Sequence, residues 1–335
     1  MSSRRPHPND PVSPDSATRA LGSSALVWAA RVLVTAAVTL AILRAVGIRM
    51  VDIREVRVDP ALIHPSWIGG SALLLLLAFG ASALLWRGLV RALGGPSVSA
   101  WTAVGVTLVA NLGRYLPGKV FQLLGLVLLG RRVGIPAGVS AGAAVLGQVL
   151  HLVAAALVGS SLMGATGVLP KAWRYLPLVV AGVIVVVVAW PGMAGRLLTL
   201  AGRFKGPTGG APARGAPRTL LPWAVGYALN WLLLGLAFQA LAWGLGIPLS
   251  YGLAVSAFAA AYFLGYVALF APAGLGVREG FLVAFLGPTV GPGPAVALAT
   301  AQRVWMTGVE ALGAAAVWPG IRTTEPADGE AGGAL

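Results

Sequence analysis

The sequence has no cysteine, few histidines and little charge. Without cysteine, disulfides, thiolate nucleophiles and cysteine-ligated metal sites are excluded. The three histidines, His7, His64 and His151, are scattered along the chain, which argues against a histidine-rich metal site. Only 10% of the 335 residues are charged, whereas soluble domains carry about 25%. A bilayer therefore suits this chain better than water as its solvent.

Long apolar runs take the place of the missing charge. Hydrophobic residues make up 57% of the chain, and the mean hydropathy is +0.84. Runs of about 18 or more apolar residues can cross a bilayer, and they must be helical because lipid offers no partner for free backbone groups. Runs such as Leu73–Leu77 and Val183–Val188 lack the alternation of a barrel strand. The sequence predicts an all-α, polytopic integral membrane bundle with about eight spans.

The predicted spans are separated by polar or Pro/Gly-rich segments. They are Ala25–Val46, Trp67–Trp86, Trp101–Leu116, Ala137–Leu162, Trp173–Trp190, Leu220–Leu245, Ser250–Phe270 and Ala295–Trp318. Two further apolar pieces, Val120–Gly130 and Val277–Gly287, are too short to cross a bilayer. Each follows a Pro/Gly break, at 116–119 and at 271–276, so we predict two broken or re-entrant helices.

The distribution of Lys and Arg predicts the orientation. The net charge of +14 would suggest nucleic acid in a soluble protein, but here most Lys and Arg fall in loops that one alternating path places on the same side. That side is predicted to be the cytoplasm of a multi-pass protein of the cell inner membrane. Both termini are then cytoplasmic, with disordered tails at 1–24 and 321–335 around a transmembrane domain at 25–320.

The Pro/Gly-rich segment 191–219, a predicted cytoplasmic linker, divides the chain into two similar halves. Residues 101–162 and 250–318 share one order: a span, a Pro/Gly break, a short helix and a long span. The predicted path starts the two units on opposite sides of the membrane, which is an inverted-topology repeat. In transporters such paired broken helices mark the substrate site.

Six ionisable residues lie at the two breaks or within the last span, namely Arg114, Lys119, Arg278, Glu279, Arg303 and Glu310. A charge at the bilayer centre costs about 3 kcal/mol or more, so such residues face a partner or a watery cavity. One interpretation is a set of internal ion pairs, for example Glu279 with Arg303. Arg278 with Glu310 is another such pair. The other interpretation is a cationic pocket for an anionic ligand such as a lipid phosphate, and the excess of four cations over two acids favours it.

Uncharged residues extend this candidate site. Gly274 and Gly276 let a ligand approach the backbone, and the short helix after them points N–H groups at an anion. Gln122 and Gln148 lie near the first break and Gln302 adjoins Arg303, and these three are weaker site candidates. Interhelical hydrogen bonds are the expected role of the polar residues in apolar segments, which are Asn111, Gln122, Gln148, His151, Asn230, Gln239 and Gln302. Tryptophans at span ends, Trp86 among them, are typical of interfacial belts.

Catalytic and cofactor motifs do not occur in the sequence. We find no G-x-x-x-x-G-K-[ST] motif, no G-x-S-x-G motif and no metal-ligand cluster. The chain is therefore expected to be no enzyme and to bind no cofactor, no metal and no nucleic acid.

Three segments resemble a known family. Residues 113–122 (GRYLPGKVFQ) and 271–280 (APAGLGVREG) resemble the two signature breaks of the lysylphosphatidylglycerol synthase transmembrane-region family. Residues 302–305 (QRVW) resemble the Arg-containing motif of its last span. The resemblance implies a flippase-like protein. Some members are the N-terminal halves of enzymes that aminoacylate phosphatidylglycerol, and others act in lipid, hopanoid or polyprenyl-linked glycan traffic. This chain is expected to be a stand-alone member without the aminoacyl-transferase domain.

Three functions stay open at this point. The leading hypothesis is a flippase-like transporter of an anionic phospholipid or a polyprenyl-phosphate-linked glycan. The second is a non-transporting membrane scaffold of a glycosyltransferase or lipid-modifying enzyme. The third is a membrane-embedded enzyme that acts on a lipid, with Glu279 as acid or base. Lipid movement by the purified protein, stable association with an enzyme, and a chemically altered lipid distinguish them.

Overall fold

The computed structural model of the chain describes residues 63–115, 120–165, 220–268 and 276–322, together with Tyr175, Val179 and Gly182. Several predictions lie outside the described residues. They are the span 25–46, most of the span 173–190, the linker 191–219, both tails, and the site residues Lys119 and Gly274.

Helices account for all the regular structure in the described ranges, which contain eight α-helices, one 3₁₀-helix and no strand. We number them α1 (Pro65–Ala92), α2 (Ala100–Asn111) with the 3₁₀-helix Leu112–Tyr115, α3 (Val120–Arg132), α4 (Ala137–Ala165), α5 (Leu221–Gly244), α6 (Tyr251–Val267), α7 (Val277–Val290) and α8 (Pro292–Arg322). The all-α prediction is confirmed, and the helix boundaries agree with the predicted segments to within a few residues.

The lengths of the helices agree with a membrane protein. Pro65–Ala92, Ala137–Ser160 and Leu221–Gly244, in α1, α4 and α5, are each long and apolar enough to cross a bilayer. Helix α6 is apolar but has only 17 residues. Helices α3 and α7 have 13 and 14 residues, about 20 Å at 1.5 Å per residue, and are too short to cross. Helix α2 has only 12 residues before the 3₁₀-helix, although Trp101–Leu116 was predicted to span. The prediction of a helical membrane protein with two short helices is confirmed, whereas the count of about eight spans stays a prediction.

Helices α1 and α5 end in the same way. At each C-terminus a glycine takes a positive φ, 81° at Gly94 and 71° at Gly246, which L-residues with a side chain disfavour. The next amide then bonds back to the last turn: Gly95 N donates to Val90 O and Ile247 N to Ala242 O, each at 2.9 Å. A proline follows both turns, so α2 and α6 leave the turns in equivalent positions.

The packing of the bundle is reciprocal between its two halves. Helix α1 packs against α5, α2 against α8, and α4 against α6. Helices α1 and α5 run antiparallel, since His64 N donates to Gly244 O at 2.9 Å at one end and Gly88 faces the Trp223 ring at the other. A pseudo-two-fold axis in the membrane plane relates equivalent helices antiparallel. Helices α1 and α5 lie outside the predicted units 101–162 and 250–318, so the inverted repeat stays a prediction.

Small residues bring the two halves into backbone contact. A Cβ added at Gly159 of α4 would lie 2.6 Å from Ala260 N of α6, and one at Gly244 of α5 would lie 3.1 Å from Ile68 N of α1. Small residues serve this purpose in membrane bundles because close backbone approach maximises van der Waals contact where lipid removes the hydrophobic drive. The interface between the halves is therefore tight around the cavity described next.

Candidate functional site

A cavity of about 90 Å³ lies between the two halves of the bundle. Seven helices and the 3₁₀-helix line it, through Ala78, Phe79, Ser82, Trp86, Thr107, Asn111, Arg114, Gln122, Leu123, Leu126, Ala143, Ala144, Gly147, Gln148, His151, Tyr227, Asn230, Trp231, Leu234, Phe258, Tyr262 and Met306. Its residues on α1, α4 and α5 lie well inside those helices, which are the described helices long enough to cross a bilayer. The cavity is therefore within the membrane-spanning part of the protein.

The first ion pair of the site joins Arg114, in the 3₁₀-helix after α2, to Glu310 of α8. The Glu310 side chain is fully buried, and that of Arg114 is 22% exposed. Arg114 Nε also donates to Asn111 O at 3.2 Å, and Gln122 Nε2 of α3 donates to Asn111 Oδ1 at 2.7 Å. The 3₁₀-helix that precedes the first break is thus anchored to the last span, and the suggested pair of Arg278 with Glu310 is wrong because Glu310 binds Arg114.

The second ion pair joins Glu279 of α7 to Arg303 of α8, with Arg303 NH1 3.3 Å from Glu279 Oε1. Glu279 Oε2 also accepts a hydrogen bond from Gly276 N at 2.7 Å. Gly276 has φ 76° and precedes the first residue of α7, so Glu279 caps this helix from its third position. The suggested pair of Glu279 with Arg303 is confirmed, and its carboxylate also fixes the start of the short helix.

Arg278 is buried without an acidic partner. It is 6% exposed, and no salt bridge joins it to a carboxylate among the described residues. Its NH2 group donates to Gln302 Oε1 at 2.9 Å, and its guanidinium carbon lies 4.8 Å from the Phe258 ring centroid and 5.5 Å from that of Tyr262. Its buried Nε has no hydrogen-bond partner. The neutral amide and ring faces stabilise the cation but do not neutralise it.

The structure brings part of the predicted site together around the cavity. Arg114 and Gln122 line it directly, and Arg278 packs against Phe258, Tyr262 and Met306, which line it as well. Glu310 reaches the same region through Arg114. The ion pair of Glu279 with Arg303, together with Gly276, is not among the lining residues.

Four further buried polar atoms line the cavity, and the sequence indicates only one of their residues, Gln148, as a weaker site candidate. Trp86 Nε1, Gln148 Nε2, His151 Nδ1 and Asn230 Oδ1 have no hydrogen-bond partner, and all four residues line the cavity. The expectation that Trp86 lies in an interfacial belt is wrong, since it is 3% exposed and faces the interior. The available signal was a polar residue within an apolar span. It does not separate Asn230 from Gln239, whose Nε2 donates to Leu249 O at 2.9 Å as expected for interhelical bonding.

The chemistry of the site is that of binding an anion. Within the described ranges, no group of three or more His, Asp or Glu side chains could hold a metal ion. Both acids have arginine partners. The three arginines of the cluster outnumber the two glutamates by one, and that charge is on Arg278.

A family of membrane proteins matches most of the chain. The family model described as lysylphosphatidylglycerol synthase TM region matches residues 28–312, which is most of the chain. No curated protein matches the chain at a significant level.

Proposed function

The chain belongs to the lysylphosphatidylglycerol synthase transmembrane-region family, and from this premise we propose that it moves an anionic lipid or a lipid-linked glycan across the inner membrane. Family membership and the apolar helices make it a membrane protein of a family tied to lipid metabolism or transport. The proposal adds the transport activity and the class of lipid. The phosphate of the headgroup binds beside Arg278 and Arg114, while the acyl chains stay in the bilayer.

Arg278 is the observation that carries the proposal. A buried cation loses its hydration, and a bundle that places one beside a polar cavity gains stability when an anion enters. Gln302 accepts from one terminal nitrogen, the guanidinium carbon lies over the Phe258 ring, and Nε has no partner, so Nε is a donor that a phosphate oxygen would satisfy. Guanidinium groups suit phosphate because they present several N–H donors in one plane.

The two ion pairs support the binding arginine rather than compete with it. Glu310 holds Arg114 at the cavity wall, and Glu279 holds Arg303 and the start of α7. Both acids are already engaged, so neither competes with the ligand for Arg278. Lys119 and Gly274 stay predicted parts of the same phosphate site.

The test is lipid movement by the purified protein in proteoliposomes that contain fluorescent phosphatidylglycerol. Arg278→Gln keeps a hydrogen-bonding side chain and removes the charge, so we expect the initial rate to fall about tenfold or more, the effect of about 1.4 kcal/mol. Arg278→Lys should retain part of the rate because it retains the charge. Arg131→Gln, at an exposed position near the end of α3, is the matched control and should move lipid at the wild-type rate.

The same preparation separates transport from the other hypotheses. Undiminished transport by Arg278→Gln would refute the role of this arginine. A wild-type protein that moves no lipid and co-purifies with a glycosyltransferase would instead be the scaffold. Mass spectrometry of the recovered lipid should find it chemically unchanged, and a new lipid product would identify an enzyme.

A further inference from the structure

We infer that the cavity has a second, uncharged half that takes the hydroxyl groups of the headgroup, so that the ligand is an alcohol-bearing lipid phosphate rather than an amine-bearing one. The inference rests on the proposed binding of a lipid phosphate beside Arg278 and names the class of headgroup attached to that phosphate. A glycerol headgroup and the sugar of a lipid-linked glycan share this chemistry.

Two separate sets of helices build the charged and the uncharged halves. The charged half is centred on Arg114, in the segment after α2, which lines the cavity. Glu310 of α8 binds Arg114, and Arg278 of α7 lies behind the lining, against Phe258, Tyr262 and Met306. The uncharged half comes from α1, α4 and α5, which carry Trp86, Gln148, His151 and Asn230. Because Arg114 and these uncharged residues line one cavity, a phosphate bound at Arg114 brings its substituent within reach of the uncharged half.

The uncharged half consists of buried polar atoms that lack partners. Trp86 and Asn230 are only 3% and 4% exposed, yet Trp86 Nε1 and Asn230 Oδ1 make no hydrogen bond. Gln148 Nε2 and His151 Nδ1 are also buried and make no hydrogen bond. Leaving a buried polar atom unpaired costs about 1–3 kcal/mol. Four such atoms around one cavity are far more than chance orphans, which are rare in native structures.

Neighbouring aromatic rings hold the His151 ring in place. The His151 ring stacks on Trp231 at 4.8 Å between centroids and meets Tyr262 edge-on at 5.3 Å. Trp231 Nε1 donates to His151 O at 2.9 Å, so α5 grips the backbone of α4 at this residue. The His151 ring is therefore pre-oriented, which lowers the entropic cost of binding a ligand.

The set contains both donors and acceptors, and this composition selects the ligand. Indole Nε1 and amide Nε2 donate, Asn230 Oδ1 accepts, and imidazole Nδ1 does either. A hydroxyl group both donates and accepts, so it satisfies every member of the set. An ammonium group only donates: it would leave Trp86 and Gln148 unpaired and would add a positive charge beside Arg278. A choline group offers no donor at all.

The size of the cavity fits a small headgroup. A buried water needs about 10–15 Å³ of such space, so a cavity of about 90 Å³ has room for about six to nine water-sized groups. A glycerol unit falls within this range, and a sugar ring enters in part. Water can satisfy the same atoms when no lipid is bound, so a preference between ligands, rather than binding alone, is the informative measurement.

The experiment is native mass spectrometry of the purified full chain in detergent with four lipids, in which the three phospholipids have the same acyl chains. The lipids are phosphatidylglycerol, a glucosylated polyprenyl phosphate, phosphatidic acid, which lacks the hydroxyl substituent, and phosphatidylethanolamine, which carries an amine. We expect phosphatidylglycerol or the glucosylated lipid to bind about tenfold more tightly than phosphatidic acid, and phosphatidylethanolamine to bind more weakly than either. Which alcohol-bearing lipid binds better assigns the headgroup to glycerol or to a sugar.

Two variants on different helices test the uncharged half. Asn230→Leu and Gln148→Leu should each bring the ratio of alcohol-bearing lipid to phosphatidic acid to within about twofold of one, while the affinity for phosphatidic acid stays. Gln239→Leu is the matched control, because Gln239 lies on α5 like Asn230 but bonds Leu249 O outside the cavity lining. Its ratio should equal that of the wild type.

The outcomes separate this inference from the proposed function. Equal wild-type affinities for phosphatidylglycerol, the glucosylated lipid and phosphatidic acid would overturn the uncharged half, and so would a ratio that survives both variants or a preference for phosphatidylethanolamine. If Arg278→Gln bound phosphatidic acid as tightly as the wild type does, the phosphate site would instead be overturned. A wild type that shows the ratio but moves no lipid would retain the headgroup site and reject transport.

Discussion

Removing the Glu310 charge should expose how much the bundle depends on its deepest ion pair. Glu310 is fully buried and binds Arg114, whose side chain is 22% exposed. Glu310→Gln keeps the shape of the side chain and one acceptor oxygen but leaves Arg114 without its counter-charge. The perturbation therefore isolates electrostatics from packing, which Glu310→Ala would not.

The expected magnitude follows from the burial of the two partners. Removing one partner of a fully buried ion pair lowers the free energy of unfolding by about 3–5 kcal/mol, because the charge of the other partner is left uncompensated. Partial exposure of Arg114 and the retained hydrogen bond reduce this, so we expect a loss of about 2–3 kcal/mol in the free energy of unfolding. A melting temperature shifts by about 2–4 °C per kcal/mol in a chain of this size, which predicts a drop of about 4–12 °C.

The assay is thermal unfolding of the purified variants in one detergent, arranged as a double-mutant cycle. Glu310→Gln, Arg114→Gln and the double variant should show a coupling energy above about 1 kcal/mol, because residues in direct contact are not additive. The pair of Glu279 with Arg303 provides the comparison: its side chains are 21% and 18% exposed, so its cycle should give about 0.5–1 kcal/mol. Additive effects at Arg114 and Glu310 would refute the reasoning.

Two further predictions concern the glycines that set distances around the site. Gly265→Ala places a Cβ 2.9 Å from Arg278 Cβ, so we expect the free energy of unfolding to fall by about 1–3 kcal/mol and lipid movement to slow. Gly252→Ala is the control, because Gly252 lies on the same helix with open space around it, and it should be neutral or slightly stabilising. Equal melting temperatures for the two variants would contradict the packing of α6 against Arg278. Gly159→Leu brings a Cβ to 2.6 Å from Ala260 N, so thermal unfolding should show a larger loss than for Gly265→Ala, and a wild-type melting temperature would show that α4 and α6 do not touch there.

The helical architecture was accessible from the sequence because lipid leaves the backbone no alternative. Segments such as Leu220–Leu245 correspond to α5, which the structure places at Leu221–Gly244, since an apolar run in a bilayer must satisfy its own N–H and C=O groups. The short pieces at 120 and 277 are likewise short helices, since their length is a property of the local sequence. The inverted repeat and the cytoplasmic orientation remain predictions.

The pairing of charges was only partly accessible from the sequence. The pair of Glu279 with Arg303 could be proposed because the two residues lie on consecutive helices, α7 and α8. The sequence suggested an ion pair of Glu310 with Arg278, but in the structure Glu310 binds Arg114, which is 196 positions away. Such a partner depends on how α2 packs against α8, and no local pattern encodes that.

The sequence by itself determined that this chain is an all-helical membrane protein, that two helices are too short to cross, and that more cations than acids lie near the breaks. These properties follow from composition and run length, which the bilayer converts directly into structure. Only the tertiary structure decided which cation lacks an acidic partner, and that Trp86, Gln148, His151 and Asn230 face one cavity together. Burial and hydrogen-bond partners are properties of packed pairs of helices, so a polar residue such as Asn230 acquires its role only when the bundle assembles.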